Sequence, residues 1–338
     1  GFDRLDNGRY ATIQTFRLDT ATLEPTPVTL ALDSASGRVT SGFAPGPEIS
    51  RFGGDVAFLS NGNVLSVVDD RSGNLGEGAT MVATVFTPEG AVVKESFAVA
   101  SGQIWANVAA YQGGFAIRAN GMLHFFDNAG NPQGDPVDQN TSGHSFDRGR
   151  GDGTRIAAHI NSPYVFLTGK VTDAPVVRVA AWDARDRSFV AVADVSEGGF
   201  RGDFDRAVVA SDALNRVVVS WVARPEGYEQ NQVAARVLEL DGTAKSFRPL
   251  TASFLPFINE SQAGAIRTIQ MSVALTTRQI LVAAKGEINL QNQPAQGANS
   301  PREIMLGEVA PNGPIQSDMA SKSKVRQTIA RGACCSMA

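Results

Sequence analysis

Ala79–Gly90, ATMVATVFTPEG, is a run of apolar and β-forming residues closed by a polar turn, and the chain writes that phrase repeatedly. Gly121–Gly130 (GMLHFFDNAG), Val176–Arg187 (VVRVAAWDARDR), Gln232–Gly242 (QVAARVLELDG) and Arg302–Gly313 (REIMLGEVAPNG) follow the same plan. A second short run comes after the turn, as in Ala91–Val99 and Phe247–Thr251. Alternation with period two, ending at Gly, Asn or Asp, is the signature of a β-hairpin. Its recurrence at a spacing of roughly 40–60 residues marks a stack of similar units.

A second pair of strands precedes each hairpin. Asp55–Ser60 turns at Asn61-Gly62 into Asn63–Val68, and Asn-Gly between β runs is a strong turn signal. Trp105–Tyr111 turns at Gly113-Gly114, and Thr154–Ile160 turns at Asn161–Pro163 into Tyr164–Thr168. Ala207–Ala210 turns at Asp212–Asn215 into Arg216–Val222, and Thr268–Leu275 turns at Thr276–Arg278 into Gln279–Ala284. These first strands are small and apolar, as crowding near an axis demands. The outer strands alternate, as half-exposed strands do.

The reading predicts four-stranded units starting near Gly54, Gln103, Gly153, Arg206 and Arg267. In residues 1–50, Arg9–Leu18, Pro27–Leu32 and Arg38–Phe43 read as strands. They form either an irregular first unit or the closing partner of the C-terminal segment. No helical period appears before the tail, where Ala320–Ala330 reads as a short helix. The expected architecture is all-β: a single β-propeller over residues 1–320, followed by a tail at 321–338. Six four-stranded blades fit better than seven.

The chain resembles the β-propeller superfold over nearly its whole length. It lacks the Trp-Asp ending of WD40 blades and the double glycine of kelch blades. Its blades are similar to those of secreted and cell-surface bacterial propellers. That resemblance implies an extracellular, cell-surface or periplasmic protein, and fold alone implies no activity.

Composition narrows the classes. The 338 residues carry a net charge of −4, which offers no general attraction to nucleic acid or anionic lipid. No stretch reaches the roughly 18–20 apolar residues of a membrane helix. No charged n-region followed by an apolar h-region marks a signal peptide. Cys334 and Cys335 are adjacent, so they cannot staple a core; free thiols or a link to another chain are expected.

Three unit entrances share a second pattern of aromatic, Arg, Gly and Asp, with Trp105 and Asn107 at the corresponding place in another unit and Glu260 and Arg267 in the last. The pattern runs Arg51-Phe52-Gly53-Gly54-Asp55, then Phe146-Asp147-Arg148-Gly149-Arg150-Gly151-Asp152, then Phe200-Arg201-Gly202-Asp203-Phe204-Asp205-Arg206. The candidate ligand contacts at the channel mouth are Arg51, Asp55, Asp147, Arg148, Arg150, Asp152, Arg201, Asp203, Asp205 and Arg206. Arg forks and carboxylates alternating round a mouth suit a sugar, a peptide terminus or a metal. Alternatively, each binds loop backbone and the neighbouring blade. Repetition favours this structural role, because a site seldom needs the same residues on every blade. The long loops Asp69–Gly78, Arg224–Gln230 and Glu287–Pro301 emerge on the same face.

Catalytic signatures are missing from the sequence. No GxSxG elbow, P-loop or HExxH occurs. His124 reads as a third-strand residue, His159 as an inner-strand residue, and His144 as a loop residue near Asp147 and Asp152. Asp3, Asp6 and Asn7, and Asp127, Asn128 and Asn131, have calcium-like spacing but no closing Glu; Asx turns explain them equally well, so no metal or cofactor is assigned and calcium stands as the alternative. Arg150–Asp152 and Arg201–Asp203 are Arg-Gly-Asp triplets placed at blade entrances rather than at mobile tips. Asn140 and Asn259 stand in glycosylation sequons.

The expected function is a non-catalytic binding or scaffold module with a protein or glycan partner and no nucleic acid. The 321–338 tail is a candidate assembly arm. The alternative is a carbohydrate-active hydrolase or lyase using the Arg/Asp mouth.

Overall fold

The structure, a computed structural model, describes residues 2–4, 10–18, 25–33, 39–40, 51–70, 80–87, 91–101, 107–140, 146, 155–172, 174–196, 207–223, 232–256, 269–275, 280–287 and 302–309. Among these residues the chain is all β, with no helix. Every sheet is an antiparallel meander in which each strand pairs with its neighbour in sequence. This is the form of a propeller blade.

The strands fall into consecutive groups. β1 (Phe2–Arg4), β2 (Tyr10–Leu18), β3 (Pro25–Asp33) and β4 (Val39–Thr40) make the first sheet. The N-terminal strands therefore pair with one another, from Phe2↔Ile13 through Leu18↔Pro25. β5 (Arg51–Phe58), β6 (Val64–Asp70), β7 (Thr80–Phe86) and β8 (Val92–Ser101) make the second. β9 (Asn107–Tyr111), β10 (Gly114–Ala119), β11 (Met122–Asp127) and β12 (Val137–Asp138) make the third.

The fourth sheet is β13 (Arg155–Ala158), β14 (Tyr164–Lys170), β15 (Val177–Asp183) and β16 (Ser188–Asp194). The fifth is β17 (Ala207–Ser211), β18 (Arg216–Ala223), β19 (Gln232–Asp241) and β20 (Ser246–Pro249). β21 (Ile269–Leu275), β22 (Ile280–Glu287) and β23 (Arg302–Val309) form the last described sheet. The repeated phrase of the sequence is in every case the third strand of its sheet. The tail, with Cys334, Cys335 and the expected helix, lies outside the described residues, as do most of the three long loops.

Turn chemistry explains the hairpins. At Asn61-Gly62 the N–H of Gly62 donates to the carbonyl of Leu59 (2.9 Å), and Gly62 takes φ +87°, open to a residue without Cβ. Asn120-Gly121 closes β10 and β11 as a two-residue loop with both φ positive, 50° and 76°. That pairing is what a tight hairpin of right-twisted strands requires.

The chain divides into two compact units, Gly1–Thr141 with His159–Pro163, and Ser142–Ala158 with Tyr164–Ala338. In the first, Leu65, Val67, Met81 and Val85 of the second sheet pack with Phe115, Ile117 and Phe126 of the third. Phe115 stacks on Phe126 with centroids 5.0 Å apart, and Phe97 tilts against Phe126 at 5.4 Å.

The second unit shows how one strand serves two cores. β18 is buried along its whole length. Val217, Val219 and Trp221 belong to a core shared with Phe166, Val179 and Leu238, while Val218 and Val222 join a different core with Ile280 and Val282. Side chains alternate across a strand, so a run such as Val217-Val218-Val219 is stable only where both faces are covered. Equivalent strands line up accordingly, with β17 against β13 and β21. The fourth strand differs. β8 mixes half-buried and exposed positions, and β20 is mostly exposed, which suits an edge.

Candidate functional site

Of the ten candidate contacts, Asp55 is the one whose side chain is described. It sits half-buried on β5, opposite Val67. Its Oδ2 accepts the backbone N–H of Val108 on β9, at 3.0 Å. The carboxylate therefore ties the first strand of one sheet to the first strand of the next. Arg51 lies at the start of β5, in register with Asp70. Asp147, Arg148, Arg150, Asp152, Arg201, Asp203, Asp205 and Arg206 lie outside the described residues, as does His144. Phe146, the aromatic that opens the second entrance motif, is itself fully buried.

At the same end of the third sheet lies a polar cluster the sequence reading only touched through Asn107. Asn107 opens β9 and faces Arg118 in register across β10. Arg118 donates from Nε to Oε1 of Gln139 at 3.1 Å, and all three side chains are buried. The carboxamide nitrogen of Gln139 is buried with no hydrogen-bond partner among the described residues. An Arg inside a short β run was the available signal for this cluster.

The opposite, turn end is a set of ties within the first unit. Ser60 Oγ accepts the N–H of Gly113 (3.0 Å) and the amide of Asn128 (2.9 Å). Gln112 donates its backbone N–H to the carbonyl of Ser162 at 2.8 Å. Lys94 donates to the carbonyl of Gly130 (2.7 Å) and to Asn131 (3.1 Å), and lies 4.9 Å above the Phe97 ring. His159 belongs here too. It follows β13 instead of lying in the inner strand, and its Nδ1 accepts the N–H of Asn161 at 3.2 Å. Turn formation at Asn161–Pro163 draws it out of the ladder.

The calcium-like group at Asp127 is an Asx turn. Oδ1 accepts the N–H groups of Ala129 (2.9 Å) and Asn131 (2.8 Å), and Oδ2 accepts the Asn131 amide (2.9 Å). Burial is the largest single influence on this carboxyl and raises its pKa. The backbone and side-chain bonds from Asn131, the bond from Ala129 and the Lys94 charge together outweigh it, and the net shift is down. Among the described residues no group of three or more potential ligands is assembled for a metal.

The other displaced carboxyls also move down. Hydrogen bonding from the Arg185 side chain holds Asp183 low, and bonds from Ser188 hold Asp186 low. A general acid working near neutral pH needs the opposite displacement. Tyr111 is unsuited as well. Burial, then the nearby charge of Asp127, pushes its phenol up, and its hydroxyl donates to the Phe126 carbonyl at 2.9 Å.

Burial lowers the pKa of His124 on β11. The unfolded chain keeps the ordinary value, about 6.5, and so takes up the proton first as pH falls. The stability tied to neutral His124 is complete above that value and is lost as pH falls toward the lower folded value. Urea midpoints at about pH 8 and about pH 5.5 should therefore differ more for the native chain than for His124→Gln. An equal difference in both would rule the assignment out.

No protein-family profile matches the chain, and no curated protein is similar to it in sequence. Among solved structures it is similar to Kuenenia stuttgartiensis hydrazine synthase, with 10% identity and a TM-score of 0.43, over 80% of this chain and 66% of that one. The chain thus spans just under two thirds of that protein. It is also similar to an oligogalacturonate lyase in complex with manganese, with 10% identity and a TM-score of 0.43, over 90% of this chain and 73% of that one. An α-L-arabinofuranosidase from Podospora anserina, in complex with cellotriose, shows 9% identity and a TM-score of 0.36, over 77% of this chain and 90% of that one. None of these likenesses bears on what the chain does.

Proposed function

We propose that the chain is a non-catalytic binding or scaffold module, a propeller acting outside the cytoplasm and engaging a protein or glycan partner. The reading rests on one observation. The described carboxylates are engaged in holding the fold, with Asp55 bonded to the Val108 N–H and Asp127 closing its own turn. Where their pKa values are displaced, they are displaced down, which keeps them charged acceptors. Such groups position backbone; they do not exchange protons with a substrate at neutral pH.

The partner's contact in this proposal is the strand-entrance face, where Arg148 and Arg201 would supply planar donor forks. A glycan array and a product analysis, both run on the full chain, test it together. The expected result is binding of a glycan without chemical change, weakened about tenfold or more by Arg148→Ala with Arg201→Ala, the loss of one to two charge-assisted hydrogen bonds. Cleavage of an oligosaccharide, abolished by Asp147→Asn or Asp203→Asn, would overturn it.

A further inference from the structure

Two Asn-Gly pairs lie among the described residues, and their hairpins hold them differently. Asn61 and Gly62 are both exposed. The side-chain oxygen of Asn61 accepts the backbone N–H of Asn63 at 3.1 Å. Gly62 has no heavy atom within 4 Å of the place a Cβ would occupy, and its N–H donates to the Leu59 carbonyl at 2.9 Å across the exposed turn. At the other pair, the Asn120 amide nitrogen donates to the Ser101 carbonyl at 2.5 Å, and Gly121 is buried.

We propose that Asn61 is a site of spontaneous backbone-assisted deamidation, favoured by the fold over Asn120. The Gly62 nitrogen gives up to solvent base the proton that it donates to the Leu59 carbonyl, so that bond breaks, and the nitrogen bonds to Cγ of Asn61. The Cγ–Nδ2 bond breaks, and the nitrogen leaves as ammonia after taking up a proton. The resulting succinimide is opened by one water to aspartate or isoaspartate. The balance is amide plus water giving acid plus ammonia, with no redox step. The Asn63 N–H lies where it stabilises negative charge developing on the side-chain oxygen, as an oxyanion donor does. The Asn120 carboxamide is tethered by its leaving nitrogen instead, which holds the side chain away from attack.

The change has a structural consequence. Isoaspartate adds one carbon to the backbone of a tight hairpin, next to Ser60. Ser60 links this turn to Gly113 and Asn128 of the third sheet. Conversion at Asn61 therefore loosens the tie between the second and third sheets and places a new negative charge on that turn.

Site-resolved peptide mapping of the full chain, incubated at neutral pH, tests the proposal. In the folded protein Asn61 should convert about five- to tenfold faster than Asn120, the rate equivalent of one net hydrogen bond. In urea the two should converge, because both are then plain Asn-Gly. Asn61→Ser should leave Asn120 converting at its native rate. Equal native rates, faster conversion at Asn120, or no conversion at Asn61 would each overturn it.

Discussion

Asp212→Ala is expected to lower the unfolding free energy by about 3–5 kcal/mol, the loss seen when one member of a buried ion pair is removed. Asp212 and Arg216 bracket the turn between β17 and β18, and they are 2% and 6% exposed. Oδ1 of Asp212 accepts the N–H groups of Leu214 (2.9 Å) and Arg216 (3.1 Å), while Oδ2 takes the Arg216 Nε (2.7 Å). Truncation removes both turn bonds and leaves a guanidinium enclosed without its carboxylate. The midpoint of urea unfolding should fall with little change in slope. Asp212→Ala with Arg216→Met should recover part of the loss, because the stranded charge goes too. A single-variant loss below about 1 kcal/mol would show that the pair is solvated.

Trp221→Ala should lose about 3–5 kcal/mol for a different reason, the cavity left by a large ring in a packed core. Trp221 is 0% exposed on β18, in the core shared with Phe166, Val217 and Leu238. Val218 and Val222, on the other face of the same strand, belong to another core. The strand cannot shift to fill one void without disturbing the other. Trp221→Phe should lose far less, since it keeps most of the ring volume. If Ala and Phe unfold at the same midpoint, packing is not the cause.

Much of this fold was legible in the residues. The third strands were visible because alternation and a terminal Gly, Asn or Asp are local properties, settled by side-chain direction and turn geometry. Asn61-Gly62 announced its hairpin for the same reason. His159 was misplaced because a strand run and the turn after it share residue types, and only pairing shows where the ladder stops. The site was less legible. Asp55 drew notice as one of a repeated set of entrance residues, but its partner is a backbone N–H 53 residues away, which no local pattern reveals. Arg118 and Gln139 meet because the end of β10 and the residue after β12 come together at one end of the sheet. No local pattern encodes that meeting across a separation of 21 residues.

The sequence by itself determined the all-β class, the repeated meander and the positions of its tight turns, since period-two burial and positive φ act over a few residues. Only the tertiary structure decided what the charged residues do. It placed the Asp55 carboxylate on a neighbouring sheet's backbone and buried Asp212 together with Arg216. Hydrogen bonds and ion pairs depend on distance in space. A carboxylate that could have faced a ligand becomes a structural acceptor once folding brings a backbone N–H within about 3 Å.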